Sequence, residues 1–271
     1  MILVKLGGSV ITNKESYTEG KGRKIFFRKR AERLLGEAGS TNERLILVNG
    51  AGSFGHPLAK KYGLDKGYRS RKQIPAIARV QEDVRTLNLY VVQAMRKRGF
   101  HPISLSPSSM VELEDGKVKV ANMEPFRHYL RMGMVPVTFG DVVPDVSRRF
   151  GICSGDDMML QLSKEFKPRI AIFVTSVDGI FTKDPRDVAE PAPEFLPVIN
   201  KRTIKLIRKS RGRVADVTGR MERKARMMLK IADAGVDCIV LNGRKRGRLR
   251  RAVKGEKVRC TIARGGRDDA E

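Results

Sequence analysis

The sequence predicts an α/β fold built on a mostly parallel sheet that helices cover on both faces. Short apolar runs alternate with longer stretches of helical periodicity along most of the chain, as expected for parallel strands joined by crossover helices. Glycine-containing loops follow two of the apolar runs, where such a sheet presents its carboxyl edge. The chain of 271 residues can bury one large core, and no segment has the composition of a convincing linker. We therefore expect a single domain over residues 1–271.

The individual elements follow from run length and period. Strands are expected at Met1–Leu6, Leu45–Val48, His101–Leu105, Val135–Phe139, Arg169–Thr175, Cys238–Leu241 and Val258–Ile262. Helices are expected at Arg23–Ala38, Pro57–Tyr62, Pro75–Arg98, Met123–Met132, Gly155–Glu165, Arg220–Ala234 and Leu249–Val253. Glu112–Val120, with Asp115–Gly116 at its turn, predicts a hairpin. Asp184–Pro197 is rich in proline and acid and predicts a surface loop.

The charge of the chain is strongly positive. There are 55 Lys and Arg against 30 Asp and Glu, which gives a formal net charge of +25. Such a field favours anionic ligands and attracts nucleic acid without sequence preference. No zinc-finger, RNP-type or basic-zipper pattern is present, and Trp is absent. We therefore expect the basic runs to be mostly solvated helix faces, and no specific nucleic-acid partner.

The apolar and cysteine content bounds the cellular setting. No run of about twenty apolar residues and no basic-then-apolar leader occurs, which predicts no membrane partner and a cytoplasmic location. Cys153, Cys238 and Cys260 are odd in number and far apart, unlike the cysteines of disulfides or zinc sites. We expect them to be small, buried, reduced residues.

The segment V-N-G-A-G-S-F-G-H, Val48–His56, is the strongest local signal. A strand runs into three glycines, and Pro57 is expected to open the next helix. Small residues leave backbone N–H groups accessible, and a helix N-terminus adds partial positive charge, so the loop predicts a phosphate site. His56 adds a side-chain donor. A tight strand-to-helix turn with an incidental histidine is the alternative that these letters alone leave open.

A second glycine loop, K-L-G-G-S at Lys5–Ser9, follows the first predicted strand. It brings a cation and free amides to the carboxyl edge of the sheet, where open α/β sheets bind ligands. Lys14 follows closely enough to return to the same pocket. The spacing is neither that of a Walker A loop nor G-x-G-x-x-G.

Acidic and basic residues recur at three later edges. Ser154-Gly155-Asp156-Asp157 precedes a predicted helix, so one acid is expected to cap that helix and the other to face inward, toward lysines or a magnesium ion. The segment 175–185 begins at a strand end and holds an Asp-Gly turn. The segment 216–224 places Gly219 at an expected helix start and Lys224 within its first turns. With Lys5 and Lys14, Lys224 is the third lysine near a loop-to-helix or strand-to-loop edge, and three such lysines favour converging phosphate contacts over isolated surface lysines.

Taken in order, these motifs are similar to those of the amino acid kinase superfamily, most closely its isopentenyl phosphate kinase branch of archaeal type. The matching stretches span nearly the entire chain: K-L-G-G-S-V-I-T at 5–12, G-A-G-S-F-G-H at 50–56, G-D-V-V at 140–143, S-G-D-D at 154–157, V-D-G-I-F-T-K-D-P at 177–185, D-V-T-G at 216–219 and N-G…G-R-L…G-E at 242–256. The S-F-G-H ending points to the isopentenyl phosphate branch. Ser176 departs from the usual Asp, and Arg220 and Arg223 from the usual glycines.

The resemblance implies a fold, an activity and an assembly. The fold is a three-layer αβα sandwich around an open, mainly parallel sheet, with an acceptor-binding half at about 1–165 and a nucleotide-binding half at about 166–271. The activity is ATP-dependent phosphorylation of isopentenyl phosphate to isopentenyl diphosphate, with ATP and Mg2+ as cofactors. The assembly is a homodimer.

The resemblance also implies roles for single residues, with none acting as a protein ligand to metal. Catalytic roles fall to Lys5, Lys14, His56, Asp156 and Lys224. ATP binding falls to Lys5, Leu6, Gly7, Gly8, Ser9, Gly52, Ser176, Asp178, Phe181, Lys183, Gly219 and Lys224. Acceptor binding falls to Ala51, Gly52, His56 and Gly155.

Two kinds of alternative stay open at this stage. A related kinase could act on dimethylallyl phosphate or on a phosphonate of the fosfomycin type, since the glycine–histidine loop would serve these acceptors as well. A basic, nucleic-acid-associated protein on the same fold is the alternative from another class.

Overall fold

A seven-stranded sheet forms the centre of the protein. The computed structural model describes residues 1–13, 24–185, 192–207 and 215–266, and for residues 215–220 the backbone alone. From edge to edge the strands are β13 (Cys260–Ala263), β12 (Cys238–Asn242), β9 (Ile170–Thr175), β1 (Ile2–Leu6), β2 (Leu45–Asn49), β6 (Val135–Phe139) and β3 (Pro102–Ser104). Neighbouring strands are parallel except for the edge pair β12–β13. The carboxyl ends of the parallel strands therefore meet at one edge.

Both faces of this sheet are buried, which explains the near-continuous apolar strands. In β1, Leu3 packs into the core on one face and Val4 into the core on the other. A parallel sheet with both faces covered has no solvent face to favour polar residues, so alternation is lost. Each fully buried aliphatic side chain stabilises the fold by about 1.5–3 kcal/mol.

Helices form the two outer layers, and the predicted αβα fold class is confirmed. One layer contains α5 (Glu124–Arg131), α6 (Gly155–Phe166) and α7 (Ala215–Asp233). The other contains α2 (Arg28–Ala38), α4 (Gln73–Arg96) and α8 (Arg248–Val253). Two further helices, α1 (Gly8–Ile11) and α3 (Gly52–Lys61), begin directly after β1 and β2.

A smaller sheet lies beside the main one, with the strand order β5-β4-β7-β8. Its strands are β4 (Val111–Glu114), β5 (Lys117–Ala121), β7 (Asp141–Asp145) and β8 (Arg149–Cys153). The hairpin predicted at Glu112–Val120 is β4–β5. The β7–β8 hairpin carries no Asn-Gly or Asp-Gly signal. Asp145 closes its turn by accepting from the backbone N–H groups of Ser147 at 3.0 Å and Arg148 at 2.9 Å.

Two predicted helix starts at the candidate site are wrong. Helix α3 begins at Gly52, so Pro57 lies inside the helix rather than at its first position. Proline usually starts or stops a helix, but here Gly55 packs against Ala51 and Val84 and tertiary contact overrides the local signal. Helix α7 begins at Ala215, not Arg220, so Gly219 lies within the helix.

Two other predicted segments also need correction. Helix α2 begins at Arg28, because Phe26 instead forms an isolated antiparallel bridge with Thr12; residue 23 lies outside the described residues. The segment Asp184–Pro197 is not a plain surface loop. Asp184 is buried at one end, and at the other a short strand β11 (Phe195–Leu196) pairs with β10 (Ile180–Phe181). Residues 186–191 lie outside the described part.

Among the helices of the described residues, none has the length and apolar content of a membrane span. The three cysteines are unpaired, with Cys153 and Cys238 buried and Cys260 half-buried.

Candidate active site

The two glycine loops lie against each other at the carboxyl edge of β1 and β2. These strands are adjacent and in register, with Leu6 opposite Asn49. A Cβ added to Gly8 would lie 2.3 Å from the backbone N and Cα of Gly52, and one added to Gly50 would lie 2.6 Å from the Gly8 nitrogen. Such distances leave no space for a side chain, so the close approach requires glycine. The loops therefore form one continuous backbone surface.

Three helices begin around this surface: α1 at Gly8, α3 at Gly52 and α6 at Gly155. The first amide groups of a helix have no acceptor within the helix, and they carry the positive end of its dipole. Ser9 is the second residue of α1, and Ala51 directly precedes α3. The Gly7 amide is committed elsewhere, because it donates to the Val174 carbonyl of β9 at 2.9 Å.

Two lysines share one carboxylate at the centre of the site. Lys5, near the end of β1, donates to Oδ1 of Asp156 in the first turn of α6. Lys224, on α7, places its Nζ 3.8 Å from the same oxygen. Both ammonium groups also approach the ring of Phe173 on β9, at 4.8 Å for Lys224 and 5.7 Å for Lys5. Residues from both halves of the chain thus meet at Asp156.

The partial burial of this cluster sets its protonation. Burial raises the pKa of Asp156, but Lys224 and Lys5 more than offset it and hold that pKa well below its usual range. For Lys224 the balance goes the other way. Burial, with the like charge of Lys5, lowers its pKa below that of an ordinary lysine, and Asp156 limits the shift. Asp156 is therefore ionised at neutral pH, and it favours the charged form of the lysine beside it.

The two adjacent acids of α6 divide their tasks as predicted. Ser154 and Asp157 form a capping box, in which Asp157 Oδ2 accepts from the Ser154 N–H at 2.8 Å and Ser154 Oγ accepts from the Asp157 N–H at 3.2 Å. Asp156 is left to face Lys5. The first turn of the helix is thereby fixed without using the inward carboxylate.

Gly155 provides the room for the lysine. A Cβ at this position would lie 3.1 Å from Cε of Lys5 and 3.3 Å from Cγ1 of Val48. The Gly155 backbone nitrogen also lies close to Gly140, because a Cβ added to Gly140 would lie 2.8 Å from that nitrogen. The glycines therefore let α6 settle onto the end of the sheet beside the Lys5 ammonium.

His56 lies on α3 and is exposed. Its charge is one of those that lower the pKa of Asp156, after the larger effects of burial and of the two lysines. Lys14 lies outside the described residues. The preceding residue, Asn13, accepts a hydrogen bond from Ser53 Oγ at 3.2 Å and therefore lies beside α3.

The residues predicted near the nucleotide follow β9 or lie on α7. Asp178 is half-buried and has three polar partners. It accepts from Asn242 at 3.0 Å and from Arg248 at 2.6 Å, and it lies 3.3 Å from Arg259. Burial opposes its ionisation, but Asn242 and Arg248 lower its pKa overall. Asp178 thus ties the loop after β9 to α8.

The remaining residues of this group have varied surroundings. Ser176 is half-buried just beyond β9, and Lys183 is buried. Phe181 packs edge-on against Phe195, with ring centroids 5.4 Å apart. Gly219 lies in α7, more than one helical turn before Lys224.

Sequence reasoning missed two contributors to the site. Phe173, beneath both lysines, reads as an ordinary core residue, because its position beside Lys5 depends on the pairing of β9 with β1. Thr12 is the other, and its hydroxyl joins the two glycine loops. The signals for Thr12 were its place shortly after the K-L-G-G-S loop and its position at the end of the matching stretch 5–12.

The comparisons with known proteins agree over nearly the whole chain. The sequence profile of the amino acid kinase family matches residues 1–242. The isopentenyl phosphate kinase of Methanothermobacter thermautotrophicus is 35% identical, over 98% of this chain and 99% of its own. One solved structure of an isopentenyl phosphate kinase superposes with a TM-score of 0.83 at 33% identity, covering 97% of this chain and 99% of its own.

A second solved structure, a product complex of the T. acidophilum isopentenyl phosphate kinase, superposes with a TM-score of 0.75 at 29% identity. It covers 97% of this chain and all of its own. Because the family profile spans most of the sequence and a relative above 30% identity spans almost all of it, this chain belongs to the amino acid kinase family, and isopentenyl phosphate kinases are among its relatives in that family.

Proposed function

We propose that this protein transfers the γ-phosphoryl group of ATP to isopentenyl phosphate, forming isopentenyl diphosphate and ADP. The observation that carries the proposal is that Lys5 and Lys224 both contact Asp156, next to two glycine loops whose backbones lie in contact. Two phosphorylated substrates repel each other, so their reaction needs converging positive charge and fixed backbone donors. The names of the full-length relatives supply the acceptor.

The reaction needs little covalent help from the protein. An oxygen of the acceptor phosphate attacks the γ-phosphorus, a new P–O bond forms, and the bond from that phosphorus to the β–γ bridging oxygen breaks as ADP leaves. The acceptor oxygen is already anionic, so no strong base is required. Charge stabilisation is what the residues must provide.

Roles follow from position. Lys5 and Lys224 neutralise the transferring phosphoryl group and the ATP phosphates, while Asp156 orients both ammonium groups. The helix-start amides of Gly8 and Gly52 face the phosphates, with Ser9, Ala51 and Gly155 beside them. Lys14 and His56 complete the set, His56 as a donor to the acceptor phosphate.

The isopentenyl tail would lie against the apolar cluster between α3 and α4. Gly55 of α3 packs so closely on α4 that an added Cβ would come within 3.0 Å of Val84 Cγ1. Val80, Val84, Phe139 and Phe150 belong to the buried cluster on this side of the helices. The cluster also includes Ala59 of α3, the helix that carries His56. Apolar side chains suit a short branched alkenyl chain attached to a phosphate.

Magnesium would enter as part of the nucleotide. Among the residues that the structure describes, no group of three or more His, Cys, Asp or Glu could hold a metal ion. Asp156, the acid nearest the phosphates, is bonded to Lys5. Mg2+ readily keeps water and phosphate oxygens as ligands, so the Mg–ATP complex would be the substrate.

The acceptor distinguishes this proposal from its alternatives. Two relatives that are 35% and 28% identical over nearly the whole chain carry the isopentenyl phosphate kinase name, which does not favour a fosfomycin-type acceptor or a nucleic-acid function. A coupled ADP-release assay with isopentenyl phosphate, dimethylallyl phosphate, fosfomycin, carbamate, glutamate and UMP decides between acceptors. We expect the highest kcat/KM with isopentenyl phosphate. ADP formation that ignores the acceptor would refute the proposal.

Matched variants make the same assay specific for the site. Lys224→Met removes one of the two clustered cations, and we expect kcat/KM to fall by about 3 kcal/mol, or over a hundredfold. Lys230→Met removes an exposed lysine of the same helix and should leave the rate unchanged.

We further infer that the protein is a cytoplasmic homodimer and has no specific nucleic-acid partner. In each chain, residues of about 1–165 form the acceptor-binding half and residues of about 166–271 form the nucleotide-binding half. Unpaired cysteines suit a reducing compartment. Light scattering should give twice the chain mass of 30.4 kDa. Binding to short RNA, if measured, should disappear at moderate salt.

A further inference from the structure

We infer that Thr12 is a positioning residue, whose hydroxyl holds the two glycine loops in register so that donor and acceptor phosphates meet. The inference rests on the proposed function, because it concerns the alignment of the two substrates. It assigns a task to a residue that the resemblance does not include among the site residues.

The Thr12 hydroxyl acts both as a hydrogen-bond donor and as an acceptor. It donates to the Gly8 carbonyl at 2.7 Å, and it accepts from the Ser53 N–H at 3.1 Å. The first partner lies in α1 after β1, and the second in α3 after β2. Thr12 is itself 2% exposed, so water cannot readily replace either bond. One buried side chain thus links the starts of two helices.

The next residue extends the link to the same serine. Asn13 Oδ1 accepts from Ser53 Oγ at 3.2 Å and from the Ile25 N–H at 2.7 Å. Ser53 is fully buried and is therefore held at its backbone by Thr12 and at its side chain by Asn13. Since Lys14 is the next residue along the chain, the same link fixes the point from which that lysine departs.

The backbone around Thr12 depends on this arrangement. Gly52 has φ +52°, a left-handed conformation that favours glycine. A Cβ there would lie 2.1 Å from Thr12 Oγ1. The hydroxyl occupies the space that a side chain at 52 would need, so Gly52 and Thr12 are complementary. The amide of Gly52 is thereby fixed relative to that of Gly8.

The consequence is specific to catalysis. Each loop keeps its own amides if the hydroxyl is lost, so each substrate can still bind. What is lost is the fixed distance between the loops, and misplacement of reacting groups by about 1 Å can slow a reaction roughly a hundredfold. The variant should therefore lose kcat and largely retain both KM values.

The test compares three variants in the ADP-release assay with isopentenyl phosphate. Thr12→Val removes the hydroxyl at nearly constant shape, Thr12→Ser restores a hydroxyl, and Thr41→Val is the matched control. Thr41 Oγ1 is buried and has no hydrogen-bond partner within the described part of the chain. Rates are referred to the folded fraction, taken from the amplitude of thermal unfolding.

We expect Thr12→Val to lower kcat by roughly ten- to a hundredfold while both KM values stay within about threefold of wild type. Thr12→Ser should recover most of the rate, and Thr41→Val should match wild type. If Thr12→Val were as fast as Thr41→Val, or Thr12→Ser as slow as Thr12→Val, the inference would be wrong.

The same experiment separates failure of this inference from failure of the proposed function. A wild-type protein that forms no ADP with isopentenyl phosphate refutes the function, and with it the alignment role. An active wild type with an unimpaired Thr12→Val refutes the alignment role alone. If the Thr12→Val protein does not fold, Thr12→Ser becomes the test. The inference then requires that Thr12→Ser keep a kcat near that of the wild type.

Discussion

Lys224 Nζ lies 3.8 Å from Oδ1 of Asp156, the same carboxylate oxygen that accepts the hydrogen bond of Lys5. The two lysines come from opposite ends of the chain, yet they share one counter-ion. Without it, two ammonium groups over one aromatic ring would repel each other in a partly buried place. Asp156 therefore stabilises the close approach of the two lysine ammonium groups before the substrate phosphates bind.

Replacing Asp156 with Asn should shift the pH dependence of the reaction. The carboxylate favours the charged form of Lys224, so its removal lowers the pKa of that lysine further. The required cation is then lost at a lower pH. We expect the alkaline limb of kcat/KM to move down by roughly one pH unit.

Asp157→Asn is the control, since Asp157 belongs to the capping box of the same helix turn. This variant should lose some thermal stability and retain the wild-type alkaline limb. An Asp156→Asn enzyme with an unchanged pH profile would show that the carboxylate does not set the charge of Lys224.

His56→Ala should weaken transition-state binding. A hydrogen bond from histidine to a phosphate oxygen is worth about 1.5–3 kcal/mol, so kcat/KM should fall roughly ten- to a hundredfold. His56→Gln keeps a donor and should fall less. The exposed His128 on α5 offers a control, and His128→Ala should retain full activity. Equal kinetics of His56→Ala and His128→Ala would remove His56 from the mechanism.

Gly155→Ala should displace the Lys5 ammonium while leaving the fold intact. The added Cβ would lie 3.1 Å from Lys5 Cε, a contact that a flexible side chain can relieve by moving. We expect kcat to fall about tenfold, by analogy with other small misplacements of catalytic groups, with little change in melting temperature.

Gly36→Ala is the matched control for that change. A Cβ at Gly36 would meet Arg98 at 3.7 Å, an ordinary contact, in the interior of α2. This variant should be more stable by about 0.5–1 kcal/mol and equally active. If Gly155→Ala instead unfolded the protein, α6 rather than Lys5 would be the group that needs the glycine.

Glu43 should contribute to stability only above acidic pH. A hydrogen bond from Arg169, with the charge of the N-terminal ammonium, lowers the pKa of Glu43 from 4.5 to about 2. Since the folded-state pKa is the lower one, the contribution is complete above pH 4.5 and is lost as the pH falls toward 2.

Urea unfolding of wild type and Glu43→Gln provides the measurement. The wild type should be more stable by about 1 kcal/mol at pH 6, because Arg169 and Glu43 are both partly solvent-exposed. The difference should shrink as the pH falls from 4.5 toward 2. Activity should not change, since Glu43 bonds to Met1 at the opposite edge of the sheet. A difference that is constant with pH would exclude this origin.

Much of the fold could be predicted because its signals are local. The mostly apolar segment Ile2–Leu6 and the glycines after it mark a buried parallel strand and its carboxyl end. The different roles of Asp156, which faces Lys5, and Asp157, which caps α6, followed from helix geometry, since adjacent residues point in different directions. The start of α3 was mispredicted because Pro57 is a strong local signal that packing at Gly55 overrides.

The rest of the site could not be predicted, because it depends on contacts between distant segments. Phe173 lies beneath the lysines only because β9 pairs with β1. Thr12 meets Ser53, 41 residues along the chain, only because two glycine loops approach backbone to backbone. Neither partner carries a sequence signal for the other.

Phosphorus NMR of a reaction with ATP and isopentenyl phosphate measures most directly whether one cleft holds both substrates end to end. The account predicts that the monoester resonance of isopentenyl phosphate is replaced by the two coupled resonances of a diphosphate monoester, with ADP formed in equal amount. ADP and inorganic phosphate alongside unchanged isopentenyl phosphate would contradict it.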